Sequence, residues 1–461
     1  MKIYNTMSRQ LEVFQPIEAG KVRMYVCGPT VYNYIHIGNA RAVVSFDVIR
    51  RYLEYRGFEV NFVSNFTDVD DKIIKGANAE KMTTTAFSQR YIEAFFEDTD
   101  ALGVKRASAN PKASEYIAPM ISFIDDLIQK EFAYVSQGDV YFRVAKSKDY
   151  GKLANKNLSE LIAGASGRTD EETLRKESSA DFALWKAAKP GEVSWKSPWG
   201  MGRPGWHIEC SVMVENLLGE TIDIHGGGVD LEFPHHTNEI AQSQAKTGHS
   251  FVNYWMHNGF INVDGEKMSK SLGNFTTVHE LLKVIPAKHL RFFLAATHYR
   301  RPVNFTDDAL IEAENNVKKI ENTYRNLVST DSTMLSALTE KTTADDTKKM
   351  LAAFKNKFEE AMDDDFNIAN ALTVFYDMIS WINKGHYSAE IKSFFEAVLE
   401  ILGLHFEEAT PLESEIEALI EERQQARQNR DFAKSDHIRD ALKARGIILE
   451  DTKDGVRWHH E

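Results

Sequence analysis

The run VRMYV (22–26) is β-branched and aromatic and stops at Cys27-Gly28-Pro29, so it predicts a short strand closed by a turn. Apolar positions then take up helical spacing at Val44, Val48 and Tyr55. They predict a helix from Ile37 to about Arg56, with Gly57 as its stop. EVNFVSNF (59–66) reads as a second strand. Strand, helix and strand in this order make a βαβ unit, and the loop after its first strand is where such sheets bind ligands.

The stretch from 111 to 204 reads as an insertion, with one strand in DVYFRV (139–144) and a polar loop at 164–179. The α/β pattern resumes at TIDIHGG (221–227) and FVNYWMHNGFI (251–261). From 307 to 404 helical periodicity dominates with little Gly or Pro, which predicts a helical bundle. A charge-rich helix then covers 413–445, and GIILEDTKDGVRW predicts a strand and a turn. No internal repeat or low-complexity segment interrupts this order.

Composition adds limits. A chain of 461 residues is too long for one hydrophobic core and should divide into two to four domains. It is 43% hydrophobic and 27% charged, and no apolar run has the length of a membrane span. The formal charge of −13 argues against a general nucleic-acid coat, though not against a local basic face for one folded RNA. The N-terminus carries no signal-peptide core, and two cysteines far apart make no disulfide framework. The expectation is a cytoplasmic protein with both thiols reduced.

Four segments carry chemistry. HIGN (36–39) opens the first helix, whose N-terminal N–H groups and dipole favour phosphates; His36 can donate to a phosphate oxygen, and Gly38 admits a flat base. GEKMSKSLGN (265–274) sets Lys267 and Lys270 three apart in a Ser- and Gly-framed loop, suited to a leaving pyrophosphate or simply to solvent. Cys27 and Cys210 are either buried free thiols or, with His235 and Glu239 at i and i+4 on one helix face, a zinc set. His236, three residues from Glu239, is an alternative to His235. TDVDD (67–71) gathers three carboxylates and reads as an acidic turn rather than a metal site.

HIGN followed by an unbroken KMSKS (267–271) resembles the signature pair of the class I aminoacyl-tRNA synthetases. Asn39 departs from the second His of the HIGH motif, so no catalytic imidazole is expected there, although its amide can bond a phosphate or ribose oxygen. MYVCGPTVYNYIHIGNAR, NFTDVDDKI, PWGMGRPGWHIECS, DIHGGGVDLEFPHHTNEIAQS, NGFINVDGEKMSKSLGNF and LEDTKDG extend the likeness over essentially the whole chain. They resemble the cysteinyl-tRNA synthetase family. The resemblance implies a Rossmann-like parallel-sheet catalytic domain (1–110 and 205–306) split by a connective insertion (111–204). A helical bundle (307–404) and a small anticodon-binding module (405–461) would follow.

It also implies the reaction and its parts. L-cysteine is activated with ATP to cysteinyl-adenylate and then joined to the 3′ end of tRNA(Cys). One zinc on Cys27, Cys210, His235 and Glu239 holds the substrate thiolate, because thiolate binds zinc far better than the hydroxyl of serine does, while shape alone separates such isosteres poorly. His36, Lys267 and Lys270 carry the catalytic charge work, and Mg2+ accompanies ATP. Gly38, Asn39, Gly226, Gly227, Gly228 and Asp230 fall at the nucleotide, the glycines having a tight strand-end turn as their other reading. Gly28, Thr67 and Trp206 fall at the amino acid, where the indole of Trp206 could equally be core. Arg427, Arg439, Asp451 and Trp458 fall at the anticodon; the helix around the two arginines is otherwise a solvated face. A monomer without membrane contact is expected. The rivals are an ATP-dependent cysteine ligase acting on an amino sugar and a non-catalytic RNA-binding paralogue.

Overall fold

The computed structural model describes residues 1–156, 173–263, 266–267, 276–329, 344–406, 411–429, 431–452 and 455–460. The chain divides into two units, Met1–Thr323 with Ser332–His405, and Tyr324–Asp331 with Phe406–Glu461.

The first unit begins with a hairpin of β1 (Lys2–Asn5) and β2 (Gln10–Val13). Then come β3 (Lys21–Val26), α1 (Ile37–Tyr55) and β4 (Glu59–Ser64), the predicted βαβ unit, with β3 and β4 parallel in register from Lys21 opposite Glu59. Two helices follow, α2 (Asp71–Ala79) and α3 (Thr84–Ala101). The inserted stretch is more β-rich than its sequence predicts. After α4 (Ile117–Gln129) it builds an antiparallel sheet from β5 (Ala133–Ser136), β6 (Asp139–Phe142), β7 (Phe182–Ala187), β8 (Trp195–Ser197) and β9 (Gly200–Pro204). Of the expected loop at 164–179, residues 164–172 lie outside the described residues.

The main sheet is completed by β10 (Ile222–Gly228) and β11 (Val252–Asn258), flanked by α5 (Trp206–Leu218) and α6 (Thr237–Thr247). Its strand order is β11-β10-β3-β4 and every neighbour pair is parallel. Strands of such a sheet are covered on both faces, which is why β10 is a nearly continuous buried run. Tyr25, Val63, Met120, Phe123, Phe142, Trp185, Val212, Ile222 and Trp255 belong to one continuous core that joins this sheet to the insertion. A small sheet of β12 (Ile261–Val263), β13 (Glu266–Lys267) and β14 (Val303–Phe305) closes the α/β part, together with α7 (Val278–Leu281) and α8 (Ala287–Ala295).

Helices α9 (Asp307–Ser329), α10 (Ala344–Asp363), α11 (Ile368–Ile382) and α12 (Ala389–Leu402) occupy the stretch expected to be helical. In the second unit the charge-rich segment is not one helix but two, α13 (Pro411–Gln428) and α14 (Phe432–Ala444). The break has a local cause: the Asp431 side chain accepts the Lys434 N–H at 3.1 Å and starts a new helix. The tail is a hairpin rather than a single strand and turn, with β15 (Ile447–Thr452) antiparallel to β16 (Gly455–His460). Ile416, Ile420, Ile438, Leu442 and Ile447 form its core.

Candidate active site and metal centre

Strands β3 and β10 end side by side, and the chain leaving β3 turns through Cys27 to the start of α1. Gly28 is required there, since a Cβ would meet the Asn65 carbonyl oxygen at 1.6 Å. Its N–H donates to Asn65 Oδ1 at 2.9 Å. Helix α1 is capped by its own signature. The Asn39 N–H donates to His36 Nδ1 at 3.2 Å, and the His36 N–H donates to Asn39 Oδ1 at 3.3 Å. An Nδ1 that accepts carries no proton, so the neutral His36 ring has its proton on Nε2 and is a donor there. Asn39 thus does structural work that the sequence reading did not foresee.

A cleft of ≈ 470 Å³ opens at this point. Cys27, Gly28, His36, Gly38, Asn39, Trp206, Gly228, Asp230 and the segment 258–261 all line it. Gly226 and Gly227 lie buried behind that wall: a Cβ on Gly226 would meet the Phe46 ring at 2.4 Å, and one on Gly227 the His236 ring at 2.9 Å. Thr67 is buried and absent from the lining, its hydroxyl donating to Glu209 Oε2 at 2.6 Å. Lys267 pairs through its backbone with Asn262 in β13, while Lys270 lies outside the described residues. The three carboxylates of TDVDD serve three separate partners: Asp68 holds Ser114, Asp70 caps α2, and Asp71 pairs with Arg203.

At the floor of the cleft the four separated ligand candidates meet. The donor atoms of Cys27, Cys210, His235 and Glu239 all lie within 4.8 Å of one another. Cys27 Sγ is 3.7 Å from Cys210 Sγ and 3.6 Å from Glu239 Oε1, and His235 Nε2 is 3.1 Å from the same carboxylate oxygen. Cys210, His235 and Glu239 are buried, and Trp206 stacks over His235 at 4.5 Å.

A second set sharing two of these residues, Cys27, His225, His236 and Glu239, satisfies the same spacing. His225 Nε2 lies 2.9 Å from Glu239 Oε2, and His236 Nε2 lies 3.3 Å from Cys27 Sγ. His236 Nδ1 continues to His257 Nε2 at 2.8 Å, and His257 Nδ1 to Thr6 Oγ1 at 2.8 Å. Sequence reasoning missed His225, His257, His207 and Glu209, all behind the cleft floor. For His225 and His257 the signal was a histidine inside an apolar strand pattern, in TIDIHGG and FVNYWMHNGFI.

The electrostatics follow from burial and company. Burial alone would raise the Glu239 carboxyl, but His225 and His235 outweigh it and bring it down to about 2. Burial would lower His235, yet Glu239 and Cys210 carry it up to about 10. Burial and Cys210 push the Cys27 thiol up, while Cys27 and His235 draw Cys210 down against its own burial. His236 is held neutral, by burial first and then by His225 and His257. Two thiols, an imidazole and an anionic carboxylate converging in a buried pocket are a donor set suited to zinc.

In the second unit, Arg427 and Arg439 are exposed on α13 and α14, and Arg439 pairs with Asp436 and Asp440. Asp451 and Trp458 stand in the two strands of the terminal hairpin. Among the described residues no helix is long and apolar enough to cross a membrane.

Comparison with known proteins gives the family of the chain. Residues 13–315 match the family described as tRNA synthetases class I (C) catalytic domain, 357–407 a DALR domain, and 409–458 a cysteinyl-tRNA ligase anticodon binding domain. The chain is 74% identical over 461 residues to a cysteine–tRNA ligase of Lactococcus lactis subsp. lactis (strain IL1403), covering 100% of each. It is 62% identical over 458 residues to that of Streptococcus pyogenes serotype M18 (strain MGAS8232), covering 99% of each. In fold it is similar to Mycobacterium tuberculosis methionyl-tRNA synthetase in complex with methionyl-adenylate, with TM-score 0.60 and 16% identity over 83% of this chain and 88% of that one. A LeuRS–tRNA–LeuAMS complex from Agrobacterium radiobacter K84 gives TM-score 0.58 and 11% identity, over 84% and 83%.

Proposed function

The chain belongs to the cysteinyl-tRNA synthetases, a class I family, and on that premise we propose how its cleft works. The enzyme joins cysteine to tRNA with ATP. In the first step the cysteine carboxylate attacks the α-phosphate and pyrophosphate leaves. In the second, a terminal ribose hydroxyl attacks the acyl carbon and AMP leaves. Neither step needs a protein nucleophile, so the residues act by position and charge.

The start of α1 and the Nε2–H of His36 receive the phosphates, which come with magnesium. Gly228 and Asp230 hold the nucleoside, Asp230 by the ribose hydroxyls. Lys267 and Lys270 neutralise the departing pyrophosphate. Gly28 and Trp206 border the amino acid, and Thr67 braces that wall from behind through Glu209. Cys27, Cys210, His235 and Glu239 hold one zinc, His235 being the ligand rather than His236. When bound, that ion supplies a thiolate-selective contact that the hydroxyl of serine cannot match. Arg427, Arg439, Asp451 and Trp458 meet the anticodon of tRNA(Cys). We assign 1–110 and 205–306 to catalysis, 111–204 to the insertion, 307–404 to the bundle and 405–461 to anticodon binding. On the same premise the enzyme works as a cytoplasmic monomer.

The observation that carries the zinc reading is the convergence of two thiols, an imidazole and a carboxylate at the cleft floor, from residues up to 212 apart. The amino-sugar ligase has no support, since residues 409–458 match an anticodon-binding family. The test is charging of unfractionated tRNA with labelled cysteine, with serine in parallel, before and after chelation. Cysteine-only charging that falls on chelation and returns with zinc is expected. Charging that chelation leaves intact, or equal charging with serine, would overturn the zinc role.

A further inference from the structure

The start of α1 is held from outside the cleft. The Val278 N–H donates to the Ile35 carbonyl at 2.9 Å, and the Ile37 N–H donates to the Thr276 carbonyl at 3.2 Å. His36 therefore stands between two backbone bonds to the segment entering α7, and forms a bridge with Thr277.

Side chains reinforce the joint. The Tyr34 ring, a wall of the cleft, stacks on the His279 ring at 4.3 Å with an interplanar angle of 25°. Tyr91 meets Tyr34 edge-on at 5.6 Å. Asp98 Oδ1 lies 3.5 Å from His279 Nδ1, and Asp98 itself is 3% exposed. Tyr91 and Asp98 are seven residues apart on α3, two helical turns along one face, so a single helix grips both members of the stack. No other described contact explains a buried aspartate at this point, and its Oδ2 has no hydrogen-bond partner among the described residues.

We propose that Tyr34 and His279, held by Tyr91 and Asp98, are positioning residues that fix the start of α1 and so set the affinity for ATP. This rests on the reading of the α1 N-terminus as the phosphate site. The stack sits two residues before His36 on one side and one residue after the α7 bond on the other. Loss of the His279 ring frees the N–H groups that face the phosphates without removing any group that lines the cleft. Cysteine is bound at the cleft floor by Cys27 and Gly28, six or more residues back along this loop, and by Cys210, Trp206, His235 and Glu239 of other elements, and should not sense the change.

The experiment is cysteine-dependent ATP–pyrophosphate exchange on the full chain, with KM measured separately for ATP and cysteine. His279→Ala should raise the KM for ATP about 2- to 10-fold, the worth of one aromatic pair, with kcat and the KM for cysteine unchanged within about twofold. His279→Phe, which keeps a ring in the stack, should restore the wild-type KM for ATP. Tyr34→Ala should match His279→Ala, and the double variant should add little to either, as expected of one shared contact. The proposal is overturned if both KM values move together with a fall in melting temperature, if His279→Phe is as impaired as His279→Ala, or if neither constant moves. Absence of exchange in the wild-type protein would instead overturn the underlying reading, and this proposal with it.

Discussion

Glu239 is gripped from both sides. His225 holds Oε2 at 2.9 Å and His235 approaches Oε1 at 3.1 Å, which leaves Oε1 as the oxygen nearer Cys27. His225 thereby orients the carboxylate proposed as a zinc ligand without belonging to the Cys27, Cys210, His235 and Glu239 set. In His225→Phe the stack on Trp255 at 4.6 Å is kept, while Glu239 Oε2 is left buried and unpaired. Zinc affinity should fall about 10- to 100-fold, the range seen when such outer partners are removed. Release of zinc to a chromophoric chelator would show it, and an unchanged release would remove His225 from this role. Little of this was legible in the sequence. Cys27 and Cys210 are 183 residues apart, so spacing could not pair them. His235 and His236 both fit the helical offset to Glu239, and in the folded chain both reach the cluster. Only the family resemblance separated them.

At the scale of elements, period was a good guide where a segment has one buried face. The predicted helix 37–56 became Ile37–Tyr55 and the predicted strand 22–26 became Lys21–Val26. It failed in the insertion, where β8 has three residues and β9 holds two glycines in five, too little for a period to be read. It could not show long-range hubs such as Asp365 either. This residue sits in a left-handed turn after α10, with φ of 60°, and is 2% exposed. It accepts the Tyr4 N–H at 2.8 Å, the Tyr299 hydroxyl at 2.8 Å and the Arg300 guanidinium at 2.7 Å, tying β1 and the segment after α8 to the bundle. Burial would raise its carboxyl, but His298, the Tyr4 N–H, Tyr299 and Arg300 bring it below its ordinary 3.8. A carboxyl lowered in the folded state stabilises the fold above its unfolded value, and that contribution is lost as pH falls below it. Asp365→Asn should therefore cost about 1–3 kcal/mol at neutral pH, read as a lower urea midpoint. The gap between variant and wild type should narrow as pH falls below the unfolded-state value of about 4 and on through the lower folded-state value. A gap constant across that window would mean that the charge on Asp365 does not matter.

For the whole molecule, the division of labour is visible in where the cleft gets its walls. Among the described residues, those lining it all lie between Val26 and Ile261 and belong to the first unit. The described residues of the second unit supply none of them, and that unit has its own core of Ile416, Ile420, Ile438, Leu442 and Ile447. Adenylate formation should therefore need the first unit alone, while selection of one tRNA should need both. A chain ended after His405 should retain cysteine-dependent ATP–pyrophosphate exchange, with KM for ATP and cysteine within about threefold of the full chain, a shift of less than 1 kcal/mol. Its kcat/KM for charging tRNA should fall by roughly 100-fold or more, the worth of a few base contacts at about 1–3 kcal/mol each. Circular dichroism and a melting curve would establish that the shortened chain is folded before either number is read. The opposite result, exchange lost while the fold and melting temperature persist, would mean that the second unit acts on the cleft from a distance. Charging retained at the full-chain rate would instead place tRNA selection in the first unit, and would take Arg427, Arg439, Asp451 and Trp458 out of it.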